Sequence, residues 1–229
     1  MMIRAYWPVA AVVAAVLVGA APGLFWGLPS TARLESLLPS GVARVKERLA
    51  ALTAEDEARK VRTSLIVPVR GQTGGPGCLA EHPDILAGFR RYVIYSSDWD
   101  ENTVVRALAY MRPGRLQLDP RTYMYGGLFI YPIGGLIAVA GKIGAVRLRP
   151  GLESYLEGPG DFGSLYVIGR LFVLLLCLAG LVSVWWCGRD LGGPVVGLVT
   201  VLVFATLPST QAWLTRTKPH LPSSAFLLA

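Results

Sequence analysis

The chain has 229 residues, 53% of them hydrophobic and 16% charged, with a net charge of +7 and a mean hydropathy of +0.48. Soluble domains carry about 25% charged residues, so this balance points to a chain resident in a membrane, and its basic excess suits anionic headgroups or phosphate. No aromatic-basic RNA motif or zinc-finger spacing is present, which sets nucleic-acid partners aside, and Cys78, Cys177 and Cys187 form neither a paired framework nor a metal-ligand cluster.

The first stretch, Ala5–Ala32, carries no charge. A spanning helix needs about 20 apolar residues, and one is expected over 5–29. Arg4 and the small residues Gly19-Ala20-Ala21 also fit a cleaved signal peptide. The apolar run resumes at Leu24–Leu28, longer than such a peptide needs, which favours an uncleaved helix. Arg4 favours a cytoplasmic N-terminus, and Pro22-Gly23 is a site for a kink.

Residues 30–121 form a long polar loop on the outer side, holding most of the charge. Within it Val42, Val45, Leu49 and Leu52 recur at helical spacing over Val42–Lys60. Such a helix either packs on the rest of the loop or lies on the bilayer surface. Arg70–Gly77 is glycine-rich and turn-like, and lacks the Lys-Ser/Thr ending of a phosphate loop. Glu81-His82-Pro83-Asp84 reads as a turn.

Tyr95–Asn102 then places Asp98, Asp100 and Glu101 within four residues, ahead of a short amphipathic helix marked by Val104, Leu108 and Met111 and stopped by Pro113-Gly114. Asp98 suits the N-cap, and Asp98-x-x-Glu101 approximates a capping box. The helix dipole favours anions in this first turn.

Residues 122–145 are apolar but broken by Gly126-Gly127, Pro132 and Gly134-Gly135. They are expected to lie at the membrane surface rather than span. Their tyrosines, Tyr125 among them, suit the interface. Spans are expected over 166–188 and 194–214, joined by a tight turn at Gly188–Gly193, with Arg170 and Arg189 as membrane-edge anchors. Arg216, Lys218 and His220 follow. The apolar run 221–229 reads as the start of a further span, so the chain reads as one C-terminally incomplete membrane domain. With residues 122–145 at the surface, the positive-inside turn at Arg189 returns Arg216–His220 to the same outer face as the carboxylates.

Asp100-Glu101, Arg106–Gly114, Leu118-Asp-Pro120, Tyr125-Gly-Gly-x-x-x-Tyr-Pro132, Tyr166–Arg170 and Gly188–Gly193 together resemble polyprenol-dependent membrane glycosyltransferases of the GT-C superfamily. The likeness is to the branch of protein O-mannosyltransferases and aminoarabinose transferases, and covers roughly Tyr92 to the end. It implies an all-α, polytopic transmembrane fold in the plasma or inner membrane. The implied reaction is an inverting transfer of a sugar from a polyprenyl-phosphate carrier to a hydroxyl acceptor on the outer side. Asp100 would be the general base, with Glu101 supporting it and Asp98 secondary. Arg216, Lys218, His220 and Tyr125 would hold donor and phosphate, and Trp99 and Tyr123 would line the sugar or lipid path. Lys218 and His220 stand where relatives often carry an Asp. No metal ligand is assigned, although a divalent cation is compatible, and Asp98-Trp-Asp100 formally matches the Asp-x-Asp of nucleotide-sugar transferases. The competing functional classes are a polytopic transporter subunit and a non-catalytic membrane scaffold.

Overall fold

The computed structural model describes residues 7–62, 77–82, 84–121 and 124–220. Arg4, most of the glycine-rich turn at 70–77, Pro83, Tyr123, the Trp99 side chain and the apolar run 221–229 lie outside that description. Among the described residues the fold is all-α, with one isolated bridge, Arg112 to Gln117, and no strand. Two helices are long and apolar enough to cross a membrane. The chain divides into an apolar unit, Met1–Trp26 with Val167–Ala229, and a polar unit, Gly27–Tyr166.

In the apolar unit, α1 spans Trp7–Phe25 and carries Pro22 within its last turn. Only 22% of its most apolar window is buried, and Trp7, Val18 and Phe25 are exposed. The core helix of a soluble protein would bury such residues, and water gains nothing from them. Helix α7 is assigned to Pro159–Thr206, and its residues from Val167 belong to this unit. It starts earlier than the span expected from residue 166, because Pro159 at the start and Asp161 in the first turn supply an N-terminal signal.

The helical run breaks at Gly192 and Gly193, the latter at φ 85°. A Cβ on Gly188 would fall 2.9 Å from Gly197 Cα. In a straight helix those residues would stand roughly 13 Å apart, so the chain folds back here, at the turn expected between residues 188 and 193. The return limb ends at Thr206, and a short α8, Pro208–Trp213, follows Leu207.

Three segments meet at the far end of this hairpin. A Cβ on Gly23 of α1 would fall 2.6 Å from Thr215 Oγ1, and one on Gly169 of α7 would fall 2.5 Å from Thr217 Cγ2. Arg170 lies there too, 2% exposed. Its Nη1 donates to the carbonyls of Gly23, Leu24 and Trp26 at 3.0, 3.1 and 2.8 Å. The last carbonyls of a helix lack internal partners, and a cation there also meets the negative end of the dipole. Arg170 was expected as a membrane-edge anchor; it is a buried cap on α1.

In the polar unit, α2 (Thr31–Leu37) starts at Ser30, whose Oγ accepts from the Arg33 N–H at 3.3 Å. Helix α3 (Ala43–Arg62) turns Val45 and Leu49 inward, 1% and 0% exposed. It packs on the turn Leu152–Glu157 and on α4 (Ile85–Gly88). Of the two placements open to this helix, the structure shows packing within the loop. Arg90 and Asp56 pair at 2.5 Å, and Lys46 pairs with Glu157. Helix α5 (Asn102–Tyr110) buries Val104 and Ala107 and packs on α6 (Gly127–Lys142). With 16 residues, α6 is short of a span. One face, Phe129, Ile130 and Ile133, is buried, while Leu128, Val139 and Ile143 are exposed.

Candidate functional site

The acidic corner is reached through a short stretch without helix, residues 95–98, that two residues pin in place. Gly27 adopts φ +64°, where a Cβ would collide with Ser97 at 2.4 Å, and its carbonyl accepts the Ser97 N–H at 2.8 Å. The Arg33 guanidinium donates to the Tyr95 carbonyl at 2.7 Å and to the Gly27 carbonyl at 3.3 Å. Glycine is the residue that tolerates both the positive φ and the close approach.

From there the chain turns into a short 3-10 segment, Trp99–Glu101, that leads directly into α5. Asp98 and Glu101 are 4% and 0% exposed, whereas Asp100 is half-buried. Asp98 acts as a local cap: its Oδ1 accepts the Asp100 N–H at 3.2 Å, and its carbonyl accepts the Glu101 N–H at 3.1 Å. In a capping box the glutamate would reach back to the cap's own N–H. Here the Ser96 hydroxyl stands between them. It accepts the Asp98 N–H at 3.2 Å and lies 2.5 Å from Glu101 Oε2. The serine two residues upstream of Asp98 takes the place of the expected contact.

The three carboxylates are therefore not equivalent. Two are enclosed and committed to local hydrogen bonds, and Asp100 is the most accessible. Among the described residues no group of three or more His, Cys, Asp or Glu is arranged to hold a metal ion.

The residue after Glu101 ties the corner to the start of α7. Asn102 Nδ2 donates to the Tyr166 hydroxyl at 2.9 Å, and that hydroxyl donates to the Ile94 carbonyl at 3.0 Å. All three are buried. This link, between positions 64 and 72 apart, has no periodicity or motif that would announce it. Tyr125 sits just before α6, its ring edge-on to Phe129 at 6.1 Å.

Arg216, Lys218 and His220 belong to the apolar unit and gather on one indole. Arg216 Cζ lies 6.0 Å and Lys218 Nζ 4.8 Å from the Trp213 ring centre, and the His220 ring packs edge-on at 5.6 Å. Lys218 is 6% exposed. The contacts of Thr215 and Thr217 with Gly23 and Gly169 place this basic segment at the end of the unit where α1 finishes and Val167 begins. Arg189, at the opposite turn, stacks over Trp185 and Trp186 at 5.3 and 4.8 Å. No family model matches this chain, and neither curated proteins nor solved structures yield a match.

Proposed function

We propose that the chain is part of an integral, multi-pass membrane glycosyltransferase of the GT-C type, using a sugar carried on a polyprenyl phosphate and a hydroxyl acceptor on the outer side of the membrane. The observation that carries this reading is the division of labour in the acidic corner. Asp98 and Glu101 are enclosed, and Asp100 is held at a helix N-terminus with the greatest access. A general base needs a fixed carboxylate that the reacting hydroxyl can reach.

The step follows from the chemistry of such a donor. The acceptor oxygen forms a bond to the anomeric carbon while its proton passes to the Asp100 carboxylate. The bond from that carbon to the phosphate oxygen breaks, and the polyprenyl phosphate leaves with the electron pair. Attack opposite the leaving group inverts the anomeric centre. Glu101 and Ser96 position the turn that presents Asp100. Charge accumulates on the departing phosphate, and Arg216, Lys218 and His220 are the cations assigned to meet it. The exposed apolar face of α6 suits a helix lying in the plane of the membrane surface, as this reading requires.

The test is Asp100→Asn in purified, folded protein with a polyprenyl-phosphate sugar donor. Transfer is expected to fall about 10²- to 10⁴-fold, with donor binding retained. Full activity in this variant sinks the assignment. Substrate flux across a vesicle membrane without sugar transfer would instead identify a transporter subunit, and loss of partner binding alone a scaffold.

A further inference from the structure

The polar unit contains a cavity of about 560 Å³, within the range of roughly 300–1,000 Å³ typical of small-molecule sites. Its walls come from α5, the segment 149–155, the first turns of α7, and single residues of α3 and α6. Among the described residues five arginines line it: Arg90, Arg106, Arg112, Arg121 and Arg149. Among the described residues, no residue of the lining is acidic.

The arginines divide by partner. Arg90 is paired with Asp56. Arg149 is paired with Asp161 at 2.7 Å and Glu157 at 3.3 Å. Arg121 stacks on Tyr110 at 5.8 Å. Arg106 and Arg112 have no carboxylate partner among the described residues. Two arginines in one lining, with no carboxylate partner among the described residues, suit an oxyanion that accepts several N–H donors.

Two neutral groups refine the chemistry. The Tyr166 hydroxyl gives its single proton to the Ile94 carbonyl, so Asn102 must approach it with Nδ2. Asn102 Oδ1 is thereby left on the cavity wall, buried and without a hydrogen-bond partner. A buried acceptor in that state costs about 1 to 3 kcal/mol unless a donor reaches it. The Tyr155 hydroxyl accepts the Arg149 N–H at 3.2 Å, which leaves its own proton to offer. Burial raises this phenol above its ordinary range, so it remains a neutral donor. The remaining lining includes Ile137, Phe162 and Leu165, an apolar floor.

We infer that this cavity is a binding site for a phosphomonoester carrying a free hydroxyl, its phosphate held by Arg106 and Arg112 and its hydroxyl donating to Asn102 Oδ1. The inference does not rest on the transferase reading, because Asp100 does not line the cavity. The shared chemistry has two sources, a lysophospholipid headgroup and a soluble sugar phosphate.

The experiment is calorimetric titration of the full chain in non-ionic detergent. The probes are 1-hexanoyl-glycerol 3-phosphate and glucose 6-phosphate, with monohexanoylglycerol and glucose as phosphate-free counterparts. At least one phosphate ester is expected to bind, and the phosphate-free compounds to bind at least about 30-fold more weakly, each lost guanidinium contact being worth roughly tenfold. Tighter binding of the lipid phosphate assigns a membrane source, and tighter binding of the sugar phosphate a soluble one. The Arg106→Gln, Arg112→Gln double variant should lose affinity about 30-fold or more with an unchanged melting temperature. The Arg106→Lys, Arg112→Lys variant controls for folding and should retain most of the binding. Asp100→Asn should bind normally, which separates failure here from failure of the transferase reading. Three outcomes overturn the site: neither ester binds, the phosphate-free compounds bind equally well, or the double glutamine variant binds unchanged.

Discussion

The two units treat arginine in opposite ways. In the apolar unit Arg170 is almost fully enclosed, and its guanidinium is taken up by three backbone carbonyls at the end of α1. In the polar unit five arginines line one cavity, and two of them meet no carboxylate among the described residues. The residue type is the same, and burial with partner chemistry decides what it does. A cation whose donors are consumed by the fold is a structural part. A cation whose donors face a cavity is available to a ligand.

The sharpest way to break this contrast is Arg170→Met. The substitution keeps a long apolar stem and removes the donors, leaving carbonyls of α1 stranded in a buried site. At about 1 to 3 kcal/mol per stranded group, the loss should reach about 3 kcal/mol or more. Thermal unfolding in detergent measures it, and Arg170→Lys should recover only part, because an ammonium cannot reproduce the planar fork. A melting temperature equal to that of the wild type would return Arg170 to the role of a membrane-edge anchor.

A smaller effect is expected where the polar unit uses an uncharged link for the same structural purpose. Tyr166→Phe removes the hydroxyl that joins Asn102 to the Ile94 carbonyl. Two buried groups then lack a partner, at a cost of about 1 to 3 kcal/mol against the ring packing that remains. Phe162, edge-on to Tyr166 at 5.6 Å, should hold the new phenyl ring in place. The variant should unfold earlier than the wild type, and binding in the arginine-lined cavity should weaken, because Asn102 loses its fixed orientation. Unchanged stability would mean that the hydroxyl is not what holds the acidic corner to α7.

These cases also show where sequence reasoning reaches its limit. The charge-free run before Ala32 announced α1, and the break at Gly192-Gly193 was legible because two adjacent glycines interrupt an apolar run. The glycines and Pro132 were read as interruptions of the 122–145 segment, yet α6 runs unbroken from Gly127 to Lys142 through Pro132 and Gly134-Gly135. The turn at Asp98 was visible as a cap, since capping depends on residues two or three apart. The role of Arg170 was not visible. A guanidinium beside an apolar span reads the same whether it meets headgroups or a helix end, and the distinction rests on contacts with residues some 145 positions earlier. The cavity was hidden for a related reason. Its arginines come from α5, the residues preceding it and the connections after it, and no local pattern shows that they converge. Ser96 was also passed over. It lies just outside the acidic motif, yet its hydroxyl replaces the expected bond between Asp98 and Glu101.

The smallest expected effect tests a charge pair that neither buries nor lines anything. Lys46 on α3 meets Glu157 on the turn Leu152–Glu157, and its hydrogen bond and charge hold the Glu157 carboxyl below its ordinary range, with a lesser contribution from Arg149. A carboxylate with a lowered folded pKa contributes stability that is present above its unfolded pKa and is lost as the pH falls through the folded value. Lys46→Gln should therefore lower the melting temperature slightly at about pH 6, and the difference from wild type should shrink as the pH is lowered toward about 3. Raising the salt at the higher pH should narrow the same gap, since the pair is exposed and readily screened. A gap that persists unchanged in acid would mean that Lys46 acts through the packing of its stem on the polar unit rather than through its charge.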